Sequence, residues 1–318
     1  MGILRHVIAA AALFSLSTAA VAQDYPARPV KIYVGAAAGG STDLVARVVA
    51  KQLTKMWNVS VLIENRTGAS GTIAAEAVAK SDPDGYTIFG GSFAPSVIAA
   101  SRDKMAYDPF KDFAHAVLVS TYPQTIVVLA SSPIQDLKQL IAEAKANPGK
   151  LNYGTGGVGS STHLFIEMMN SMAGLKTTNV PYRGGAPALN ALLGGELDFA
   201  GLALPIVHAQ GTNVRPLAVT SGKPSRFLPG VPSLSEIVPG YDAEDLIVFQ
   251  VPVATPKPIV DKINRDVNIA LQDPEVKASL DQLNQDIRGG SIEEATEYLR
   301  GAIERWRPII KATGLGAM

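Results

Sequence analysis

Val30-Lys31-Ile32-Tyr33-Val34-Gly35-Ala36-Ala37-Ala38-Gly39-Gly40-Ser41-Thr42-Asp43-Leu44-Val45 is the stretch that decides how this chain folds. Val30, Ile32 and Val34 alternate, which predicts a strand; glycine and alanine break the pattern; then Leu44, Val45, Val48, Val49, Leu53 and Met56 return at helical spacing. Strand, glycine loop and helix make the first step of an α/β unit. A second strand is predicted over 59–63, a helix over 72–79 and a third strand over 87–90, with Pro83-Asp84-Gly85 as the intervening turn. The order β-α-β-α-β predicts a mainly parallel sheet covered by helices.

The pattern then starts again. A β-branched run at 126–130, a helix at 136–146 stopped by Pro148-Gly149 and a short strand at 151–153 lead into a second glycine loop. A helix at 162–172, a strand at 178–180, a helix at 187–193 and strands at 197–200 and 216–220 complete the second unit. Residues 221–239, rich in Pro, Gly and Ser, read as an extended crossover. The remainder, with a strand at 246–251 and helices at 258–271, 274–283 and 292–312, is too helix-rich for a third lobe and is expected to pack back on the first. The expected fold class is α/β with two lobes, 23–120 plus 225–318 and 121–224, a ligand cleft between them and two chain crossovers.

Ahead of the first strand, Arg5 and His6 precede an apolar run too short for an ordinary membrane span, ending in Ala20-Val21-Ala22. That pattern predicts a cleaved secretory signal over 1–22. The 28 basic and 28 acidic residues balance, which gives no electrostatic reason to expect nucleic acid or an anionic membrane as partner. With no cysteine there are no disulfides, thiolate nucleophiles or sulfur-ligated zinc, and export without disulfides suits a bacterial periplasm.

Both glycine loops open helices. Helix N-termini carry N–H groups without intrahelical partners and partial positive charge, so Gly39, Gly40, Ser41 and Thr42 can hold a carboxylate without arginine, although capping by Ser41, Thr42 or Asp43 explains the same residues. Thr155, Ser160, Ser161, Thr162 and His163 in Gly154-Thr155-Gly156-Gly157-Val158-Gly159-Ser160-Ser161-Thr162-His163 repeat the arrangement. In an open α/β sheet both loops fall at the carboxyl ends of strands, where ligands bind. Gly154, Gly156 and Gly159 formally satisfy the dinucleotide pattern G-x-G-x-x-G, but no acidic residue occurs from Met168 to Gly195 to meet a ribose hydroxyl. Neither loop has the P-loop lysine, and no G-x-S-x-G elbow occurs. His163 and Glu167 could share a helical face as metal ligands, but a hydrogen bond from His163 to a ligand or loop carbonyl is the better reading. Asp198, inside a strand, is either a structural hydrogen-bonding group or a hinge or ligand residue. No cofactor is called for.

Longer motifs carry a family resemblance. Gly39-Gly40-Ser41-Thr42-Asp43, Glu64-Asn65-Arg66-Thr67-Gly68-Ala69-Ser70-Gly71, Asp82-Pro83-Asp84-Gly85-Tyr86-Thr87, Tyr107-Asp108-Pro109, Asn147-Pro148-Gly149-Lys150-Leu151-Asn152-Tyr153-Gly154, Val180-Pro181-Tyr182-Arg183-Gly184, Leu217-Ala218-Val219-Thr220 and Asp273-Pro274-Glu275-Val276 occur in this order. Together they resemble the Bug family, the substrate-binding proteins of tripartite tricarboxylate transporters. The resemblance implies a two-lobed, type II-like periplasmic binding fold that closes on a small organic carboxylate. It implies membrane components of such a transporter as partners, a monomer, and no catalysis. It also implies carboxylate contacts from Ala38 through Thr42, from the turn Ala69 to Gly71, and from Thr155 to His163, partly through water. Three departures stand out: Gly35-Ala36-Ala37-Ala38 in place of aromatic and proline residues, no tryptophan in Asp245-Leu246-Ile247-Val248-Phe249, and Phe93 after Ser92. Ser92, Phe93 and Arg183 are accordingly expected to read the rest of the ligand, with Arg183 meeting a second carboxylate. A ligand sensor for a signalling system, or an exported enzyme using the same cleft, are the alternatives.

Overall fold

The computed structural model describes residues 25–101 and 105–313; the expected signal segment lies outside them. In chain order the first part runs β1 (Val30–Val34), α1 (Ser41–Trp57), β2 (Val61–Asn65), α2 (Thr72–Ala79), β3 (Thr87–Ser92), α3 (Phe93–Ser101) and β4 (Phe113–Tyr122). It passes to β5 (Gln124–Leu129), α4 (Leu137–Ala146), β6 (Asn152–Thr155), α5 (Ser161–Ala173), β7 (Thr178–Pro181), α6 (Gly185–Leu193), β8 (Phe199–Ala203), α7 (Leu204–His208) and β9 (Val214–Val219). It returns through β10 (Asp245–Pro252), α8 (Lys257–Gln272), α9 (Pro274–Gln282), β11 (Asp286–Ile287) and α10 (Ile292–Thr313).

Two sheets result, with strand orders β11-β4-β10-β3-β1-β2 and β7-β6-β8-β5-β9. The strands joined by helices pair in parallel, β1 with β2 and β3, and β6 with β7 and β8. The strands that carry the chain between lobes are antiparallel to their neighbours: β10 to β3 and β4, β5 to β8 and β9. The expected parallel sheets are therefore mixed, because a strand arriving from the other lobe has no crossover helix to align it. Every residue of β10 is buried, as a central strand covered on both faces requires. On α1, Val45, Ala46, Val49 and Leu53 are fully buried in one cluster with Val30, Ile32, Val34 and Ile88, so the helical periodicity of the opening stretch does bury a single face.

The crossings lie side by side. Pro123 separates Tyr122, the end of β4, from Gln124, the start of β5. On the way back Thr220 N–H donates to Gln124 O (3.0 Å) and Ala243 N–H to Thr220 O (3.0 Å), just before Asp245 opens β10. The second crossing thus falls at 243–245, not near 225. Composition identified 221–239 as irregular but not what it packs on: Ser233 bridges to Val219, Tyr241 Oη donates to Phe165 O (2.9 Å), and Leu234, Val238 and Tyr241 join a buried cluster that runs from Phe165 and Phe199 of the second lobe to Phe93 and Trp306 of the first. Likewise α10 does not pack on the first lobe alone. Trp306 lies 5.4 Å from the ring of Phe93 in α3 and 5.5 Å from that of Phe165 in α5, so one aromatic cluster spans both lobes behind the cleft.

Candidate ligand-binding site

The two glycine loops are the same piece of backbone built twice. Gly39 and Gly159 take φ of +83° and +75°; the next residues, Gly40 and Ser160, are the N-caps at φ/ψ of −72°/160° and −64°/159°. Gly40 N–H donates to Ala37 O and Ser160 N–H to Gly157 O, both at 3.1 Å. In each, the glycine N–H reaches a buried side chain four residues on: Gly39 N–H to Asp43 Oδ2 at 2.9 Å and Gly159 N–H to His163 Nδ1 at 3.0 Å. Ser41 and Thr42 therefore correspond to Ser161 and Thr162.

Their electrostatics differ. Asp43 also accepts from Arg47 Nε (3.0 Å) and Asn65 Nδ2 (2.8 Å). Burial pushes its carboxyl up, but these hydrogen bonds outweigh it and hold the group below the usual carboxylate range. His163 is pushed down by burial, which Glu167 only partly opposes, so the imidazole is neutral with Nδ1 as acceptor and the proton on Nε2. At Nδ1 it is an acceptor for its own loop rather than the expected donor. Glu167 accepts from Tyr153 Oη and Asn170 Nδ2, which accounts for it without a metal. Gly40 supplies no capping side chain, so the N–H groups of Ser41, Thr42 and Asp43 face outward from the helix start uncapped. On α5 the Ser160 hydroxyl accepts from His163 N–H (3.4 Å) and donates to Gly157 O (2.7 Å), leaving Ser161 and Thr162 N–H.

Between the helix starts lies a buried hub that sequence reasoning missed. Asp245, 2% exposed, accepts from Phe93 N (3.2 Å), Leu246 N (2.9 Å), Tyr122 Oη (3.1 Å) and Gln124 Nε2 (3.3 Å). The Ser41 and Thr42 hydroxyls face Tyr122 and that of Ser161 faces Asp245, each easing the charged form of its neighbour. Burial raises the Asp245 carboxyl, opposed by its hydrogen bonds. One buried carboxylate on a crossing strand therefore sits between the start of α1 in the first lobe and that of α5 in the second. The available signal is an aspartate opening a mostly apolar strand, together with Tyr122 and Gln124 flanking the first crossing.

The other sequence candidates divide. The turn Ala69 to Gly71 lies beside the first loop, where a Cβ on Gly35 would come within 2.6 Å of Gly71 Cα. From the same turn Ser70 Oγ donates to Val158 O (2.9 Å), joining the lobes at the rim of the cleft. Ala38 is exposed on the first loop and Arg183 is exposed beside the second, where Tyr182 O and Gly184 approach Gly157 and Gly156. Ser92 ends β3 next to the hub. Phe93 departs from expectation: its side chain is fully buried between Phe165 and Trp306, and only its backbone N–H, bonded to Asp245, takes part in the hub. Thr155 donates to Asn179 Oδ1 (2.9 Å) and Thr162 accepts from Gly156 N–H (3.0 Å), so both hydroxyls shape their own loop. Asp198 stands apart, accepting from Asn152 N–H (2.8 Å) at the edge of an 860 Å³ surface cavity lined by Leu129, Pro133, Ile134 and Leu197.

Comparison with known proteins adds an independent line. Residues 45–315 match the model of the tripartite tricarboxylate transporter family receptor. BugT of Bordetella pertussis (strain Tohama I) is 31% identical over 298 residues, covering 92% of this chain and 91% of that protein. Among solved structures, Rpa4515 of R. palustris with adipate is 34% identical with a TM-score of 0.83, over 92% of this chain and 99% of that one. MatC from Rhodopseudomonas palustris with bound malate is 28% identical with a TM-score of 0.81, over 90% of this chain and all of that one.

Proposed function

This chain belongs to the family of tripartite tricarboxylate transporter receptors, and from that premise we propose that it is a periplasmic receptor that captures a small organic carboxylate between its lobes, without converting it, and delivers it to the membrane components of a tripartite transporter. The observation that carries the reading is the pair of matched helix starts, at Ser41 and Ser161, with the buried Tyr122–Asp245 pair between them. Uncapped N–H groups at both can take the oxygens of one anion, and closure brings the two sets together. Relatives whose structures hold adipate and malate support a carboxylate as the ligand. Ala38 to Thr42, Ala69 to Gly71 and Ser160 to His163 form the carboxylate end in this reading, and Ser92 and Arg183 the distal end. Phe93 acts only through its backbone.

Calorimetric titration with mono-, di- and tricarboxylates, with NMR of the recovered ligand, tests this. Binding of a chemically narrow subset, recovered unchanged, is expected. Binding of none of them, or turnover of any, would overturn it.

A further inference from the structure

The lobes touch on both sides of the strands that join them. In the order β11-β4-β10-β3-β1-β2, the crossing strands β4 and β10 stand between the cleft, at the ends of β1 and β3, and the sheet edge at β11. On the cleft side Ser70 of the first lobe bonds Val158 O of the second. On the β11 side lies a crevice of about 500 Å³, walled by Pro123 of the first crossing, by 221–226, by Asp242 and Glu244 of the second crossing, and by Asp286 and Arg288 of the first lobe. Arg226 reaches across it. Its loop moves with the second lobe, because Ser233 Oγ donates to Ser221 O, Ser235 Oγ donates to Gly222 O (3.0 Å), and Ser233 bridges to Val219 at the end of β9. Its partners belong to the first lobe: Nη1 donates to Asp281 Oδ1 in α9 (2.6 Å) and Nε to Asp286 Oδ1 in β11 (3.1 Å). A lone exposed ion pair contributes little, but one arginine shared by two carboxylates forms a network. The Phe227 ring, 3.9 Å from the guanidinium carbon, holds the fork in place and lowers the freedom lost in making both bonds.

We propose that Arg226 is a positioning residue that holds the cleft closed from behind, so that ligand affinity is set in part by a side chain across the crossing strands from the ligand. The proposal rests on the receptor reading above. Opening the cleft turns the second lobe about β4 and β10. The motion that parts Ser70 from Val158 carries 221–226 toward β11, and the crevice supplies the room for it. Arg226 spans the crevice at full width, so its two ion pairs belong to the closed state and are lost as the crevice narrows. A ligand held by both lobes binds only that state. Its apparent affinity therefore scales with the fraction of molecules already closed, and removing the Arg226 bridge lowers that fraction.

The test has two arms. In titration calorimetry of the full chain with succinate, malate, glutarate and adipate, Arg226→Ala weakens whichever acid binds by about three- to tenfold. Asp281→Ala with Asp286→Ala weakens it similarly in the wild type but adds nothing in Arg226→Ala, since the carboxylates then have no partner to lose. The second arm reads the lobes without ligand. The chain has no cysteine, so spin labels can be placed uniquely on cysteines introduced at the exposed Ile73 of the first lobe and Ala186 of the second. Their distance distribution shifts toward longer separations in Arg226→Ala. An affinity that is unchanged or raised in Arg226→Ala overturns the inference, as does a fall in affinity with an unmoved distance distribution, which would assign the loss to something other than closure. A wild type silent toward every carboxylate defeats the receptor reading, and the distance arm then decides the closing role of Arg226 by itself.

Discussion

Loop 37–43 and loop 157–163 share a backbone, a positive-φ glycine, a Ser-Thr pair and a glycine N–H bonded four residues on, yet one closes on a carboxylate and the other on an imidazole. Asp43 can sit at a helix start, 1% exposed, because Arg47 and Asn65 share its charge. His163 has no such company. It lies against Tyr153, with Glu167 one turn along the helix. Two copies of one anion-holding device therefore differ in net charge, and the second adds no carboxylate of its own at the helix start. The greatest break in this comparison is His163→Asp, which would bury an unpaired carboxylate near Glu167. It should cost about 3 kcal/mol of stability. Asp43→Asn, which keeps shape and most bonds, should cost about 1 kcal/mol. Chemical denaturation of the two variants side by side measures the difference; equal costs would mean the loops are interchangeable.

The next contrast concerns what lies across the cleft. A Cβ on Gly39 meets nothing within 4 Å, whereas one on Gly159 comes to 3.1 Å from Ile98 Cδ1 and 3.2 Å from Ser70 Oγ, both in the first lobe. Both substitutions to alanine carry the left-handed backbone penalty, about 1 to 2 kcal/mol. Only Gly159→Ala also obstructs closure and the Ser70–Val158 hydrogen bond. Ligand affinity should fall about tenfold in Gly159→Ala and about twofold or less in Gly39→Ala. Calorimetry on both variants reads this directly, and a Gly39→Ala defect as large as that of Gly159→Ala would remove the closing role from the second loop.

How much of this was legible in sequence follows from the range of the interactions. The strand-loop-helix steps at both loops are local periodicities with glycine punctuation, and they came out with boundaries a few residues off, as at β2 and β8. Helix α3 and strand β4 did not: Phe93 to Ser101 is apolar and small throughout, so it has no amphipathic face to betray it, and β4 is buried along nearly its whole length. The hub was out of reach for a different reason. Tyr122 and Asp245 are 123 positions apart, and an aspartate heading a mostly apolar strand gains its partners only once β10 is placed between β3 and β4. Phe93 was misassigned by the same blindness, since only the docking of α10 shows that its ring belongs to the core.

The subtlest difference between the loops is their response to acid. His163 has its folded pKa below the ordinary 6.5, so below that pH the unfolded chain binds the proton more readily, and the stability it contributes is lost as pH falls from about 6.5 toward the folded value. Asp43 is also held below its ordinary value, 3.8, but its contribution stays complete until pH drops under that figure. His115 in the first lobe, pushed down to about 4 chiefly by burial, loses stability over the same upper window, so a melting curve cannot separate the loops. The two glycine amides can. Protonating His163 Nδ1 removes the acceptor of Gly159 N–H, while Asp43 remains ionised and keeps Gly39 N–H. In ¹H–¹⁵N spectra of the folded protein, acidification from pH 6.5 should move the Gly159 amide toward the position of a weaker hydrogen bond, with the Gly39 amide unmoved until about pH 4 or below. If both amides shift together, the two side chains are not independent switches on matched loops, and the electrostatic contrast between the lobes is lost.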